Sequence, residues 1–118
     1  MSMVTIDPLL AVDAELEDWG PKADPITGNP RERGLMLHED AVSQLGVWEC
    51  TPGSWKSSKD GVGELMHFVS GHGWITDSEG SWEIRPGAVR WFPDGWSGEW
   101  NVDETVRKVF AIIVTPAD

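Results

Sequence analysis

The 118 residues of this chain suit one compact domain that buries roughly two-thirds of its unfolded surface, so a second domain is not expected. A formal net charge of −11 would repel a phosphate backbone, and the Lys and Arg residues are scattered along the chain, so nucleic acid is not an expected partner. The aromatic content, with 8 Trp, 3 Phe and no Tyr, favours broad β faces and pocket walls.

The first third of the chain predicts little regular structure. Met1 to Asp18 has acidic residues and no basic flank before its apolar residues, so we expect no secretory signal and a cytoplasmic protein. Apolar residues between Pro8 and Trp19 are spaced as in one or two helical turns. From Asp18 to Gly34, Pro, Gly, Asp and Asn residues interrupt regular structure. We therefore predict an irregular N-terminal arm over residues 1–34 and a β domain over residues 35–118.

After Gly34 the sequence consists of short apolar runs separated by Gly and Pro, which is typical of an all-β sandwich or barrel. A hairpin is predicted between residues 77 and 80, because Gly80 can adopt the positive φ that such connections require. The predicted strands cover residues 35–38, 43–51, 64–70, 73–77, 81–85, 88–92, 97–102 and 106–115.

Alternation along residues 64–70 assigns side chains to two faces of one strand. Glu64, Met66 and Phe68 share one face, while Leu65 and His67 lie on the other, and both faces are largely apolar.

The last predicted strand is apolar on both faces over residues 109–114, a run far shorter than the ~20 residues that cross a bilayer, so no membrane partner is expected. Both faces of such a strand need cover. The N-terminal arm or a second subunit must supply it, and a homodimer that pairs outer sheet faces is the expected arrangement.

The single cysteine cannot form an intrachain disulfide. Cys50 lies in an apolar stretch, which favours a buried free thiol. A catalytic thiol is the weaker alternative, because no His is its neighbour in sequence.

Two segments of the β domain match a known pattern in order and spacing. The first runs Gly53-Ser54-Trp55-Lys56-Ser57-Ser58-Lys59-Asp60-Gly61-Val62-Gly63-Glu64 and is followed by Gly71, and the second runs from Gly87 to Pro93-Asp94-Gly95. They resemble the two cupin motifs. Residues 27–31, 46–53, 95–100 and 105–108 are more specifically similar to small cupins grouped with ureidoglycine aminohydrolase and the ethanolamine-utilisation protein EutQ. The resemblance implies an all-β double-stranded β-helix, the cupin jelly-roll barrel.

The resemblance also implies a metal site, which in the family uses two His and a Glu of the first motif and one His of the second. Here the His positions fall on Lys59, Gly61 and Gly98, and only Glu64 remains able to ligate. One carboxylate binds a transition metal weakly, since three or four protein ligands are the rule. We therefore expect no tightly bound metal and no other cofactor.

The histidines of the chain do not supply substitute ligands. His67 faces away from Glu64 and is expected to be a buried or interface imidazole that is hydrogen-bonded to backbone. His38 and His72 lie on an early strand and in a turn, and both are expected to be solvated.

Glu64 on an inward face is a costly buried charge unless a partner neutralises it. Lys59 and Lys108 are the candidate partners, and Lys108 shares its face with Phe110 and Ile112. A purely structural Glu–Lys pair and a substrate-binding role remain open at this point. Glu64 is also the candidate catalytic residue.

Several tryptophans group around the two motifs, where the mouth of a barrel would lie. Flat rings at this place can stack on a sugar, a ureide or a cationic head group. Trp96 follows Gly95 in a loop and is expected to contact a ligand most directly, whereas Trp48, Trp74 and Trp82 are predicted to be core. The candidate ligand-binding residues are Trp55, Lys59, Met66, Trp91, Trp96, Trp100 and Lys108.

Three functions stay open on the sequence. The first is a metal-independent cupin that binds a small polar metabolite, such as a ureide, an amino alcohol or a sugar, with Glu64 as base or hydrogen-bond acceptor. The second is a metal-dependent aminohydrolase or dioxygenase with further ligands. The third is a non-catalytic binding or oligomerising module. The fold does not choose among them, because cupins host many chemistries.

Overall fold

The computed structural model describes residues 2–6 and 10–116, which form nine antiparallel strands that curl into a barrel. This confirms the predicted all-β jelly roll. The strands are β1 (Glu17–Pro21), β2 (Pro25–Thr27), β3 (Arg31–Glu39), β4 (Ser43–Cys50), β5 (Gly53–Ser58), β6 (Val62–Asp77), β7 (Gly80–Ile84), β8 (Val89–Phe92) and β9 (Ser97–Val114). Among the described residues, no helix is long and apolar enough to cross a membrane.

Two long strands, β6 and β9, build most of the barrel, and each replaces two shorter strands that the sequence predicted. The first half of β9 pairs with β5 and its second half pairs with β4. In β6 the first half pairs with β8 and the second half with β7. The two strands pair with each other throughout, so one bent ribbon contributes to both walls of the barrel.

The bend in β6 occurs at Gly71, where the register with β9 shifts. Gly71 has a φ of +96°, and a Cβ at this position would lie 2.2 Å from the carbonyl oxygen of Thr105. Only glycine accepts both the backbone conformation and the close approach. The interruption that the sequence indicated is therefore a bend within a strand.

Strand β5 was not among the predicted strands, because its residues are mostly small or polar and lack a strong strand pattern. This strand pairs with β9 from Gly53, opposite Val102, to Ser58, opposite Ser97. The hydrogen bonds of this pairing hold β5 in the sheet although its composition does not predict a strand. The predicted hairpin is confirmed, with residue 77 of β6 paired to Gly80 of β7.

The N-terminal region contains more strand than its composition indicated. Strand β1 pairs with β3, and β2 pairs with β5, so both extend the sheet. The division into residues 1–34 and 35–118 stays a prediction. Of the predicted helical turns, a single 3₁₀ turn, Ala11–Asp13, is present, and residues 7–9 of that prediction lie outside the described residues.

The N-terminal region also covers part of the outer face of the sheet. Ala14 and Leu16 pack with Val47 of β4 and with Val109 of β9 in a second apolar cluster. This confirms that the arm covers the last strand in part. Farther along β9, Ile113 remains 48% exposed.

The main core lies inside the barrel and is rich in aromatic rings. Trp48 is buried there, as predicted, but the same prediction was wrong for Trp74 and Trp82, which are 45% and 36% exposed. Trp74 lies on the outer face of β6, next in sequence to the buried Ile75. Trp82 is on β7, an edge strand that pairs only with β6 among the described strands.

Candidate functional site

Glu64 is the charged centre of the barrel interior, with only 2% of its surface exposed. Its position on the inner face of β6 follows from the alternation that places Met66 and Phe68 beside it, as predicted. Lys59 Nζ donates to Glu64 Oε1 at 2.8 Å, and Lys108 Nζ donates to Glu64 Oε2 at 2.7 Å. Both candidate partners therefore contact the carboxylate, one on each oxygen.

The two lysines determine the ionisation of this carboxyl group. Burial by itself would raise the pKa of Glu64, but the charges of Lys108 and Lys59, with their hydrogen bonds, outweigh it and hold the pKa below its ordinary value. Glu64 is thus an anion between two ammonium groups.

Lys108 lies in the middle of β9 and is 6% exposed. Its ammonium is 3.4 Å from Met66 Sδ, 4.4 Å from the ring centre of Trp48 and 5.4 Å from that of Trp100. Burial lowers the pKa of Lys108 to about 8, against the opposing charge of Glu64 and with help from the nearby Lys59. Cation–π contacts and the single carboxylate replace the water that this ammonium has lost.

A cavity of about 240 Å³ opens beside this cluster. Its aromatic wall is tightly packed: Trp55 and Trp100 stack with ring centres 5.7 Å apart, and Trp48 meets Trp100 edge-on at 5.8 Å. Because these rings fix one another, the cavity is a preformed apolar slot with charged groups at one side.

Lysines are concentrated in this cavity. The chain has four lysines, and three of them, Lys22, Lys59 and Lys108, line it together with two acids, Glu32 and Glu64. Lys22 Nζ lies 3.3 Å from Glu32 Oε1 and 5.2 Å from the ring centre of Trp55. The cavity therefore carries one excess positive charge inside a molecule whose net charge is −11.

One hydrogen-bond donor of the cavity wall is unsatisfied. The indole N–H of Trp100 is buried and has no hydrogen-bond partner among the residues that the structure describes. The indole of Trp48, by contrast, donates to Glu32 Oε1 at 2.9 Å. A buried donor without a partner costs about 1–3 kcal/mol.

The donor set does not fit a metal ion. Both oxygens of Glu64 already accept hydrogen bonds from ammonium groups, and a divalent cation at this carboxylate would meet the positive charges of Lys59 and Lys108. Within residues 2–6 and 10–116, no three His, Cys, Asp or Glu side chains are grouped so that they could hold a metal. Lys59 and Lys108 thus oppose cation binding at Glu64.

Five of the seven candidate ligand-binding residues line this cavity, namely Trp55, Lys59, Met66, Trp100 and Lys108. Trp91 and Trp96 do not. They line a separate cavity of about 300 Å³ with Trp82 and Arg90. Trp96 packs edge-on against Phe92 at 4.7 Å and donates to Asp77 Oδ2 at 2.9 Å, so it lies apart from Glu64, and its contact with a ligand stays a prediction.

The histidines lie outside the cavity, as expected, but in different surroundings from those predicted. His67 is exposed on the outer face of β6, so the alternative of an imidazole buried within the chain was wrong, and that of an interface imidazole stays a prediction. His72 is within β6 and half-buried, where its ring contacts Asp103 Oδ1 at 2.7 Å and Glu83 Oε2 at 2.8 Å. These two carboxylates raise the pKa of His72. His38 is exposed, as predicted.

Cys50 is fully buried, and burial raises the pKa of its thiol to about 12. A thiol with this pKa is not a nucleophile at neutral pH. The prediction of a buried free thiol is confirmed.

Sequence reasoning missed several members of the cavity. Lys22 and Glu32 belong to the region predicted to be irregular, and nothing in their spacing connects them with residues 59–64. Trp48 was identified only as core. The one sequence signal that Trp48 faces the barrel interior was its position on the same face of β4 as Gly46 and Cys50.

Comparison with known proteins agrees with the geometry. The family model of the EutQ-like cupin domain matches residues 37–110. No curated protein matches the chain.

Several solved structures share the fold. A protein of unknown function from Pseudomonas syringae pv. tomato is 27% identical over 85% of this chain, with a TM-score of 0.75, and this chain spans 45% of its length. The Clostridium difficile EutQ protein is 12% identical, with a TM-score of 0.66, over 79% of this chain and 75% of its own. A predicted oxalate decarboxylase from Thermotoga maritima is 16% identical, with a TM-score of 0.68, over 97% of this chain and 100% of its own.

Proposed function

This chain belongs to the EutQ-like cupin domain family, and from that premise we propose that its barrel cavity binds a small anionic metabolite without a resident metal ion. The observation that carries the proposal is the concentration of three of the four lysines around one cavity of a strongly acidic protein. Two of these ammonium groups share a single carboxylate, so hydrogen-bonding capacity remains for a second anion.

The size and the walls of the cavity restrict the ligand further. A volume of about 240 Å³ is below the ~300 Å³ at which ordinary ligand pockets begin, so the ligand is small. The stacked rings of Trp55 and Trp100 favour a flat or apolar part. Ureides and sugar acids that carry a carboxylate fit these features, whereas amino alcohols carry the wrong charge.

The charge preference can be tested with three ring compounds of equal size: benzoate, benzamide and benzylamine. We expect benzoate to raise the melting temperature and to bind measurably by calorimetry, with benzamide weaker and benzylamine without effect. Lys59→Met should weaken benzoate binding by roughly tenfold or more, since a charge-assisted hydrogen bond contributes about 1.5–3 kcal/mol. Lys56→Met, which removes an exposed lysine of β5, is the matched control. Equal binding of benzamide and benzoate would refute an anion site.

Metal content separates this proposal from a metal-dependent aminohydrolase or dioxygenase. Elemental analysis of the purified protein is expected to find iron, manganese, nickel and zinc well below one ion per chain. One equivalent of metal that is lost in Glu64→Gln would contradict the proposal and favour the metalloenzyme.

We further propose that a second copy of the chain covers the outer sheet face. Leu65 lies opposite Trp91 of β8 and opposite Ala111 of β9, and Ala111 lies opposite Leu45 of β4, so the four side chains form one row across the sheet. Leu65 and Trp91 are 43% and 55% exposed. The row carries no carboxylate, so it is a place where two copies of a molecule with a net charge of −11 can approach.

A further inference from the structure

Lys108 is a buried amine in the wall of the cavity, and its position is tightly held. Its Nζ lies 2.7 Å from Glu64 Oε2, and the ring centres of Trp48 and Trp100 lie 4.4 and 5.4 Å away. Such contacts leave the amine little freedom to reorient when a ligand enters. An amine that is fixed next to a carboxylate in an apolar cavity is positioned to act as a nucleophile as well as to bind a ligand.

The electrostatic surroundings make this amine easier to deprotonate than an ordinary lysine. Burial removes the water that stabilises the ammonium, and the charges of Lys59 and Lys22 act in the same direction. With the pKa of Lys108 lowered to about 8, about one molecule in ten carries the free amine at pH 7. In that form the proton has passed to solvent, and Glu64 remains an anion within hydrogen-bond distance of the amine.

We propose that Lys108 forms an imine with a small aldehyde or ketone that also bears a carboxylate, while Glu64 transfers the protons and Lys59 holds the carboxylate of the ligand. This inference rests on the proposed anion site and specifies its ligand class. The Nζ lone pair of Lys108 attacks the carbonyl carbon, and the carbonyl oxygen takes up protons and leaves as water. In balance, Lys–NH₃⁺ and O=CHR give Lys–NH⁺=CHR and H₂O.

The arrangement favours the product as well as the attack. The iminium keeps the positive charge of the ammonium, so its ion pair with Glu64 is preserved and no buried charge loses its partner. Attack makes the nitrogen of the adduct acidic, and Glu64, at hydrogen-bond distance, relays a proton from that nitrogen to the departing oxygen.

Lys108 is better suited to this role than the other lysines of the cavity. Lys22 is engaged with Glu32 at 3.3 Å and belongs to the segment between β1 and β2. Lys59 follows β5 and is less deeply buried than Lys108. Of the three, only Lys108 projects from the middle of a strand that is paired on both sides.

The test uses 4-carboxybenzaldehyde with sodium cyanoborohydride, which reduces an iminium to a stable secondary amine, followed by peptide mass spectrometry. We expect one adduct, at Lys108 of the wild-type protein, formed at least tenfold faster than at the exposed Lys56. The rate should rise with pH and level off above pH ~8, following the pKa of Lys108. Lys108→Arg and Lys108→Met should both abolish the fast adduct. An adduct spread over all four lysines would overturn the inference.

A second measurement separates this inference from the anion site on which it rests. 4-Methylbenzoate has the same shape and the same carboxylate but no carbonyl that can react, and its binding is measured by calorimetry without reductant. If 4-methylbenzoate binds and Lys108 is not labelled, the imine is refuted and the anion site stands. If neither binding nor labelling occurs, both are refuted. Glu64→Gln should slow the labelling more than it weakens the binding of 4-methylbenzoate.

Discussion

The ion pair between Glu64 and Lys108 shows how a lysine can neutralise a carboxylate buried inside a barrel. Each group loses its hydration on burial, and the attraction between them, at 2.7 Å, offsets that loss only while both are present. Lys59 adds a second ammonium at 2.8 Å, so the cluster depends on one anion to hold two cations. Removing the charge of Glu64 alone should therefore lower the stability of the fold more than removing the charges of both Glu64 and Lys108.

The first prediction concerns this dependence. Glu64→Gln leaves two ammonium groups close together in a buried site, and we expect it to lower the free energy of unfolding by about 3–5 kcal/mol. In the double variant Glu64→Gln with Lys108→Met, much of the loss should be recovered, because no unpaired charge remains at the most buried position. Urea unfolding of the wild type, both single variants and the double variant gives the coupling energy. Additive losses would show that the two groups act independently.

The second prediction concerns His72 and pH. Glu83 and Asp103 raise the pKa of this imidazole, so the folded state binds its proton more tightly than the unfolded state does. The stabilisation is fully present below the unfolded pKa of about 6.5 and is lost as the pH rises through the raised folded value. The melting temperature of the wild type should therefore exceed that of His72→Gln by more at about pH 6 than at about pH 9. A difference that does not change with pH would contradict this assignment.

Among the elements of the fold, the paired strands β6 and β9 matter most, because each passes through a bend and serves both walls of the barrel. Strand β6 was predicted as two pieces because Gly71 interrupts its apolar pattern, and β9 was divided at the polar residues 103–105. In the structure the glycine does not end the strand. It allows the ribbon to bend while hydrogen bonding continues on both sides of it.

The third prediction tests that bend. Gly71→Ala should destabilise the protein by well over 1 kcal/mol, because the new Cβ meets the Thr105 carbonyl oxygen at 2.2 Å in addition to the strain of a positive φ. Gly87→Ala is the matched control, since its φ of +92° is close to the +96° of Gly71 but nothing lies within 4 Å of the added Cβ. The difference between the two variants in thermal or urea unfolding isolates the close contact. Equal losses would mean that φ alone determines the cost.

For the whole molecule, the outstanding feature is an apolar row on the outer sheet face of an acidic protein. The N-terminal region covers Val47 and Val109 but leaves Leu65, Trp91 and Ile113 in water. Exposed apolar side chains in one contiguous row are characteristic of protein interfaces. A flat face of this kind pairs readily with its own copy about a twofold axis.

The fourth prediction follows from the proposed dimer. Leu65→Asp should convert the protein to a monomer, because it places like charges opposite each other at the centre of the row. Sedimentation velocity or light scattering measures the mass, and circular dichroism checks that the barrel is retained. Ile26→Asp on β2, another exposed apolar position away from the row, should leave the mass unchanged. A wild-type protein that is monomeric at micromolar concentration would refute the proposal.

The sequence by itself determined the class of fold, the inward position of Glu64 with Met66 and Phe68, the hairpin before Gly80, and Lys59 and Lys108 as the candidate partners of Glu64. These follow from local rules: side chains alternate along a strand, particular turns require glycine, and a buried charge requires a partner. Only the tertiary structure decided that Trp55 and Trp100 line the cavity while Trp91 and Trp96 do not, and that Lys22 and Glu32 join it. The reason is physical, since the neighbours of a residue across a sheet depend on the register between strands distant in sequence, and a slip of one residue would turn every side chain to the opposite face.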